Sequence, residues 1–111
     1  MAYEKSYGLV VEIYRITKNY PRDELFAMVS QMRRAAMSIP MNIAEGYAKR
    51  ESQAEFKRFL MMARGSAAEI SVLLDFSRDL DYINTEKHKE LSDQYEEVAK
   101  MLNAYAAKLK S

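Results

Sequence analysis

The sequence predicts an all-α fold, an antiparallel up-down-up-down four-helix bundle, on three observations. Only three glycines and two prolines interrupt its 111 residues. The remainder is rich in Ala, Leu, Met, Glu, Lys and Arg, which lose least on entering a helix. Apolar residues recur at spacings of three and four in four segments with short breaks between them. Short connections force neighbouring helices antiparallel, and residues 1–111 read as one domain, a length that buries one core and leaves no room for a second.

The first helix is expected from about Tyr3 to Asn19, with Leu9, Ile13, Ile16 and Tyr20 as its core stripe and Val10 and Tyr14 widening it. Pro21 ends it, because the residue before proline is pushed out of the helical region. The second helix starts after Pro21, where Asp23 and Glu24 suit its positive end. Leu25, Val29, Met32, Ala36, Ile39 and Ile43 form its stripe, which runs unbroken across Pro40, so the proline predicts a kink and not a stop. Gly46 reads as the terminator near C′.

Ser52 and Glu55 have the spacing of a capping box and open the third helix. Phe56, Leu60, Ala63, Ala67, Ile70 and Leu74 are its core face, and the run Gly65-Ser66-Ala67-Ala68 would admit a close neighbour. It ends near Asp79 to Tyr82. The fourth helix begins at Asn84 or Thr85, both good caps. Its seam is Leu91, Tyr95, Val98, Leu102, Tyr105 and Leu109, with Lys108 and Lys110 at its negative end.

Catalytic chemistry finds little to work with. Cysteine is absent and His88 is the one histidine, expected on the solvated start of the fourth helix with no serine marked as its partner. A di-iron bundle needs Glu-x-x-His on two helices, and the residue three before His88 is Thr85. Phosphate-binding glycine loops are missing too. The expectation is a protein that is not an enzyme and holds no cofactor or metal. Its opening, Met1-Ala2-Tyr3-Glu4-Lys5, is not a signal peptide, and no apolar run approaches the ~20 residues that span a bilayer. With no cysteine, this points to a cytoplasmic protein without a membrane partner.

Three features remain for function. Gln31, Arg34, Ser38, Asn42 and Glu45 share one face of the second helix, either fixing register by hydrogen bonds or lining a ligand or partner surface, and Glu69 is placed to pair with Arg33 or Arg34. Lys49, Arg50, Lys57, Arg58 and Arg64, interleaved with Tyr47 and Phe59, flank the turn between the second and third helices and could grip a phosphate backbone, although the net charge is only +1. With Arg33 and Arg34 they make up the candidate nucleic-acid-binding set. Phe26, Met37, Met41, Phe59 and Met62, together with Val72 and Phe76, exceed what one internal stripe per helix needs and are the candidate oligomer interface.

The segment QMRRAAMSIPMNIAEG (31–46), followed by RFLMMARGSAAEI (58–70), resembles the bacterial four-helix-bundle proteins encoded in intervening sequences of 23S ribosomal RNA. VVEIYRITKNYPRDEL (10–25) and DLDYIN (79–84) extend the likeness over nearly the whole chain. The resemblance implies antiparallel bundles assembled into homopentamers, with no enzymatic activity. It also implies a distant kinship with strongly basic accessory proteins of diversity-generating retroelements, which contact nucleic acid and a reverse transcriptase. This near-neutral chain departs from that basic branch. The matching positions, Arg33, Arg34, Ser38, Pro40, Asn42, Glu45, Gly46, Gly65, Ser66 and Glu69, imply packing and assembly roles before binding ones. The functional expectation is a non-enzymatic oligomer that binds RNA or DNA, or a nucleic-acid enzyme such as a reverse transcriptase. The alternative is a protein-interaction scaffold that touches no nucleic acid.

Overall fold

The first helix, α1, spans Ala2–Thr17 and turns Leu9 and Ile13 into the core. Its coordinates come from a computed structural model that describes residues 1–109, so Lys110 lies outside the described residues. The chain does not pass from Pro21 directly into an α-helix. Arg22–Glu24 forms a 3₁₀ turn, Leu25–Val29 a π-helical turn, and α2 proper covers Ser30–Ala48. The wider π turn slips the register. Leu25, expected in the core stripe, is therefore 44% exposed, and Met28 packs there instead, its sulfur accepting from the Ser77 hydroxyl at 3.5 Å.

From Val29 onward the stripe holds: Met32, Ala36, Ile39 and Ile43 are buried, and α2 runs through a buried Pro40. Gly46 does not terminate it. The glycine is buried inside the helix, and a Cβ built on it would lie 2.9 Å from Phe59 Cβ and 3.1 Å from Phe56 Cδ1. Glycine is needed here for close approach between helices, not for a left-handed cap.

Helix α3 spans Gln53–Asp79. Ser52 Oγ accepts from the Glu55 N–H at 3.2 Å, but the reciprocal half of the capping box does not form. Arg58 holds the Glu55 carboxylate in two 3.1 Å hydrogen bonds, and the Ser52 N–H meets Lys49 O at 3.0 Å. The left-handed cap appears after α3, at Asp81 with φ 64°. Helix α4 spans Thr85–Ala107, and Asn84 Oδ1 accepts from the Lys87 N–H at 2.7 Å.

Cross-helix pairs set an antiparallel order. Arg33 near the start of α2 reaches Thr17 at the end of α1, and Ser77 late in α3 reaches Met32. Arg64 in α3 donates to Asn103 in α4, and Lys5 in α1 pairs with Glu97. The stripe residues Leu60, Ile70, Leu74, Leu91, Tyr95, Val98 and Leu102 meet in the interior. Of the helices adjacent in the bundle, α1 and α4 touch least, joined by Lys5–Glu97 (2.7 Å) and Lys87–Glu12 (3.2 Å). Where they part, Tyr105, expected in the seam, is 42% exposed.

Two stability predictions follow from this packing. Gly46→Ala should cost about 1–3 kcal/mol in urea unfolding, because neither phenylalanine backbone nor Cβ can move aside cheaply. Burial pushes the Tyr95 and Tyr20 phenols above the ordinary value of 10.0, and the hydrogen bond to Glu24 does the same for Tyr82. An acid with a raised folded pKa contributes stability that is intact below the unfolded pKa. That stability is lost as pH climbs above about 10 toward the folded values, since only the unfolded chain ionises there. Alkaline melts should show this loss, and Tyr95→Phe should move it to higher pH. Because the Tyr95 hydroxyl has no protein hydrogen-bond partner, the same change should leave stability at pH 7 within about 1 kcal/mol.

Candidate nucleic-acid interface and assembly face

The turn between α2 and α3 carries the basic tip. Lys49 and Arg50 follow the last residue of α2, and Lys57 and Arg58 stand in the first turns of α3. Phe59 sits beneath them, with the Lys49 ammonium 5.0 Å and the Arg58 guanidinium 4.6 Å from its ring centroid. This covering, with the close passage of Gly46, leaves Phe59 only 9% exposed. Phe59 therefore belongs to the α2–α3 seam and not to a free outer surface, which corrects its place in the expected oligomer interface.

The cations at the tip are not equivalent. Arg58 is matched by Glu55, whose carboxyl is held below its usual range chiefly by that hydrogen bond. Lys49 is paired with Glu45 at 3.4 Å. Arg50 meets no carboxylate among the described residues: it donates to Tyr47 O at 3.0 Å and lies 4.1 Å over the Tyr47 ring. A guanidinium stacked on tyrosine and free of acid is well suited to a phosphate. Arg64 lies further along α3 on the α4 side, donating to Asn103 Oδ1 at 3.2 Å.

Arg33 and Arg34 do not join this cluster. They sit about 24 Å up α2 from Lys49 at ~1.5 Å per residue. Arg33 is spent within the fold, on Thr17 Oγ1 at 3.0 Å and over the Tyr14 ring at 4.4 Å. Arg34 is exposed and reaches only Ser30 Oγ at 3.4 Å. The expected pairing of either with Glu69 is not made: Glu69 is exposed and forms no ion pair among the described residues.

The polar face of α2 fixes register in its middle. Ser66 Oγ donates to Ser38 Oγ at 2.8 Å, and Asn42 Nδ2 donates to Ser38 O and Oγ at 2.8 and 2.9 Å. Gln31 and Glu45 at its ends face solvent.

The apolar surplus is real on the outside of α2 and α3. Phe26, in the π turn, is 91% exposed, Met41 66% and Met62 44%. Met37 is half-buried, accepting from the Tyr14 hydroxyl at 3.6 Å. On α3 the exposed positions Met62, Gly65, Glu69, Val72 and Phe76 are spaced three, four, three and four. They form a second stripe on the side opposite the core stripe. The space beside Gly65 is open. The spacing of this outer stripe is carried by the sequence itself.

His88 is more covered than its place in the chain suggested, with a side chain 13% exposed between α3 and α4. Its Nε2 is 2.7 Å from Asp75 Oδ1 and 3.3 Å from Ser92 Oγ, and Arg78 Nη1 lies near both ring nitrogens, 3.3 Å from Nε2 and 3.4 Å from Nδ1. A proton relay needs the carboxylate and the hydroxyl on opposite ring nitrogens. Here both meet Nε2, with the guanidinium near both ring nitrogens, so the cluster ties α4 to α3 without the geometry of a relay through Ser92. Among the described residues no group of three or more His, Cys, Asp or Glu side chains could hold a metal, and no helix is long and apolar enough to cross a membrane.

Comparison with known proteins agrees with this architecture. The family model described as 23S rRNA-intervening sequence protein matches residues 1–104. A crystal structure from Bacteroides thetaiotaomicron, of a protein of unknown function from the S23 ribosomal protein family, superposes with a TM-score of 0.87. It is 26% identical, with 96% of each chain covered. No curated protein matches the chain.

Proposed function

The chain belongs to the 23S rRNA-intervening sequence protein family, and from that premise we propose that it is a non-enzymatic assembly module: a homo-oligomer of four-helix subunits that binds RNA through its α2–α3 tips. The observation that carries this reading is the outer α3 stripe, Met62, Gly65, Val72 and Phe76, set at the spacing of a helix-packing seam yet facing solvent in one subunit. Phe26 and Met41 extend the apolar surface onto α2. Glu69 in the stripe and Arg34 on α2 are complementary charges with no ion pair among the described residues, and pairing between copies would set register more than strength. Five copies is the number the family resemblance implies.

Assembly is also what makes a subunit of net charge +1 a plausible RNA binder. One acid-free Arg50 per tip is a weak site, but several tips on one particle engage a strand at high effective concentration. The same apolar stripe favours a second reading, a scaffold for a different protein. In that case the partner survives nuclease treatment and purified RNA is not bound.

Light scattering should give one defined oligomer, and Val72→Glu and Phe76→Glu should each reduce it to single chains of unchanged helical content. A wild-type monomer at high micromolar concentration would defeat the assembly reading. RNA affinity should fall with added salt, and Arg50→Gln should lessen the salt slope by about 0.7 for each tip engaged on single strands. Salt-independent binding, or none at low salt, would remove the phosphate-contact mechanism.

A further inference from the structure

Helices α1 and α4 separate at the end of the bundle that carries the basic tip, leaving a cleft of about 950 Å³. Tyr3, Tyr47, Phe56, Met101 and Tyr105 are among the residues that line it. Phe56 is buried, and Tyr47 and Tyr105 meet it edge-on at centroid distances of 6.2 and 5.2 Å. Tyr3, Tyr47 and Tyr105 remain 41%, 53% and 42% exposed. We infer that this cleft takes an unpaired nucleobase of single-stranded RNA, with the flanking phosphates on Arg50 and Lys108; the inference rests on the reading of the tip as an RNA interface.

Three features select that occupant. The rings offer stacking surface of the kind on which bases of any sequence settle. The hydroxyls of Tyr3, Tyr47 and Tyr105 have no hydrogen-bond partner among the described residues, so the lining offers polar contacts that a hydrocarbon chain would leave unused. The rim is also cationic. Lys108 lines the cleft with no ion pair among the described residues, and Arg50 lies on the Tyr47 ring. Glu4, the one acid in the lining, is already held by the terminal amino group. A second copy docking its α3 stripe here would bring a single carboxylate, Glu69, to two rim cations. A nucleotide matches them with phosphate.

The cleft also implies selectivity for strand state. Bases in a duplex are stacked and paired and cannot enter, so a duplex would touch only the rim cations.

The test uses the whole protein and an oligoadenylate RNA carrying one 2-aminopurine, free or paired with oligouridylate, followed by anisotropy and 2-aminopurine emission at low salt. The single strand should bind at least about tenfold tighter than the duplex, with emission quenched as the base stacks. Tyr47→Ala and Tyr105→Ala should each weaken single-strand binding by about tenfold and leave duplex binding unchanged, while Tyr105→Phe, which keeps the ring and loses only the hydroxyl contact, should cost less than Tyr105→Ala. Arg50→Gln should weaken both forms. Equal affinity for the two forms, or emission unchanged when wild-type protein binds, overturns the cleft and leaves the tip standing. The emission arm needs no variant, so a misfolded tyrosine mutant cannot rescue the idea. Failure to bind either form at low salt overturns the tip reading and this one with it.

Discussion

The close passage of α2 and α3 is the constraint on which the rest of this structure depends. At Gly46 the two helices approach until Phe59 Cβ would sit 2.9 Å from any added methyl, and at Ser38 and Ser66 they meet hydroxyl to hydroxyl at 2.8 Å. Small residues at these points let the backbones come together, and the core stripes of α2 and α3 then point inward together. The same passage brings Lys49, at the end of α2, and Arg58, at the start of α3, over one phenylalanine ring. The basic tip is thus a consequence of helix packing. Its composition follows from which of those cations the packing and the neighbouring glutamates consume.

The stripes were legible because burial and spacing are local in a helix. In α3 each expected core residue from Phe56 to Leu74 is buried, and in α4 the seam holds from Leu91 to Leu102. The departures occur where a local rule met a neighbour. Gly46 was read as a cap because glycine near a helix end usually supplies positive φ, but here the need was for volume against Phe56 and Phe59. Leu25 was placed inward by counting α-helical turns across a segment that is π-helical, and no residue type announces that change.

The functional surface was less legible for a related reason. Charge in the sequence counts Arg33, Arg34, Lys49, Arg50, Lys57, Arg58 and Arg64 alike, whereas the fold divides them. Arg33 goes to Thr17 and Tyr14, Arg58 to Glu55, and Lys49 to Glu45. Arg50 escapes because it occupies the turn itself, where no residue three or four positions away on a helix face can reach it with an acid. The aromatic cleft lay further still from a sequence reading. Tyr3 and Tyr105 are over a hundred residues apart, and whether they meet or part depends on how far α1 leans from α4.

The weakness of the α1–α4 contact completes the picture. A bundle closed on all sides would seal Tyr105 into its seam and leave the tip only surface charge. Here the α1–α4 seam is bridged by Lys5–Glu97 and Lys87–Glu12, both partly open to solvent, and partly exposed ion pairs hold helices together only modestly. Beyond Lys5 no such bridge to α4 forms among the described residues, and that is where the cleft opens. The most extensive helix contact is between α2 and α3, and α3 also presents the outer apolar stripe. The side of the bundle least needed for cohesion is then the side left free to open beside the tip. On the proposed reading, cohesion, assembly and recognition would each draw on a different helix face, so a near-neutral chain would need no face to satisfy two of them.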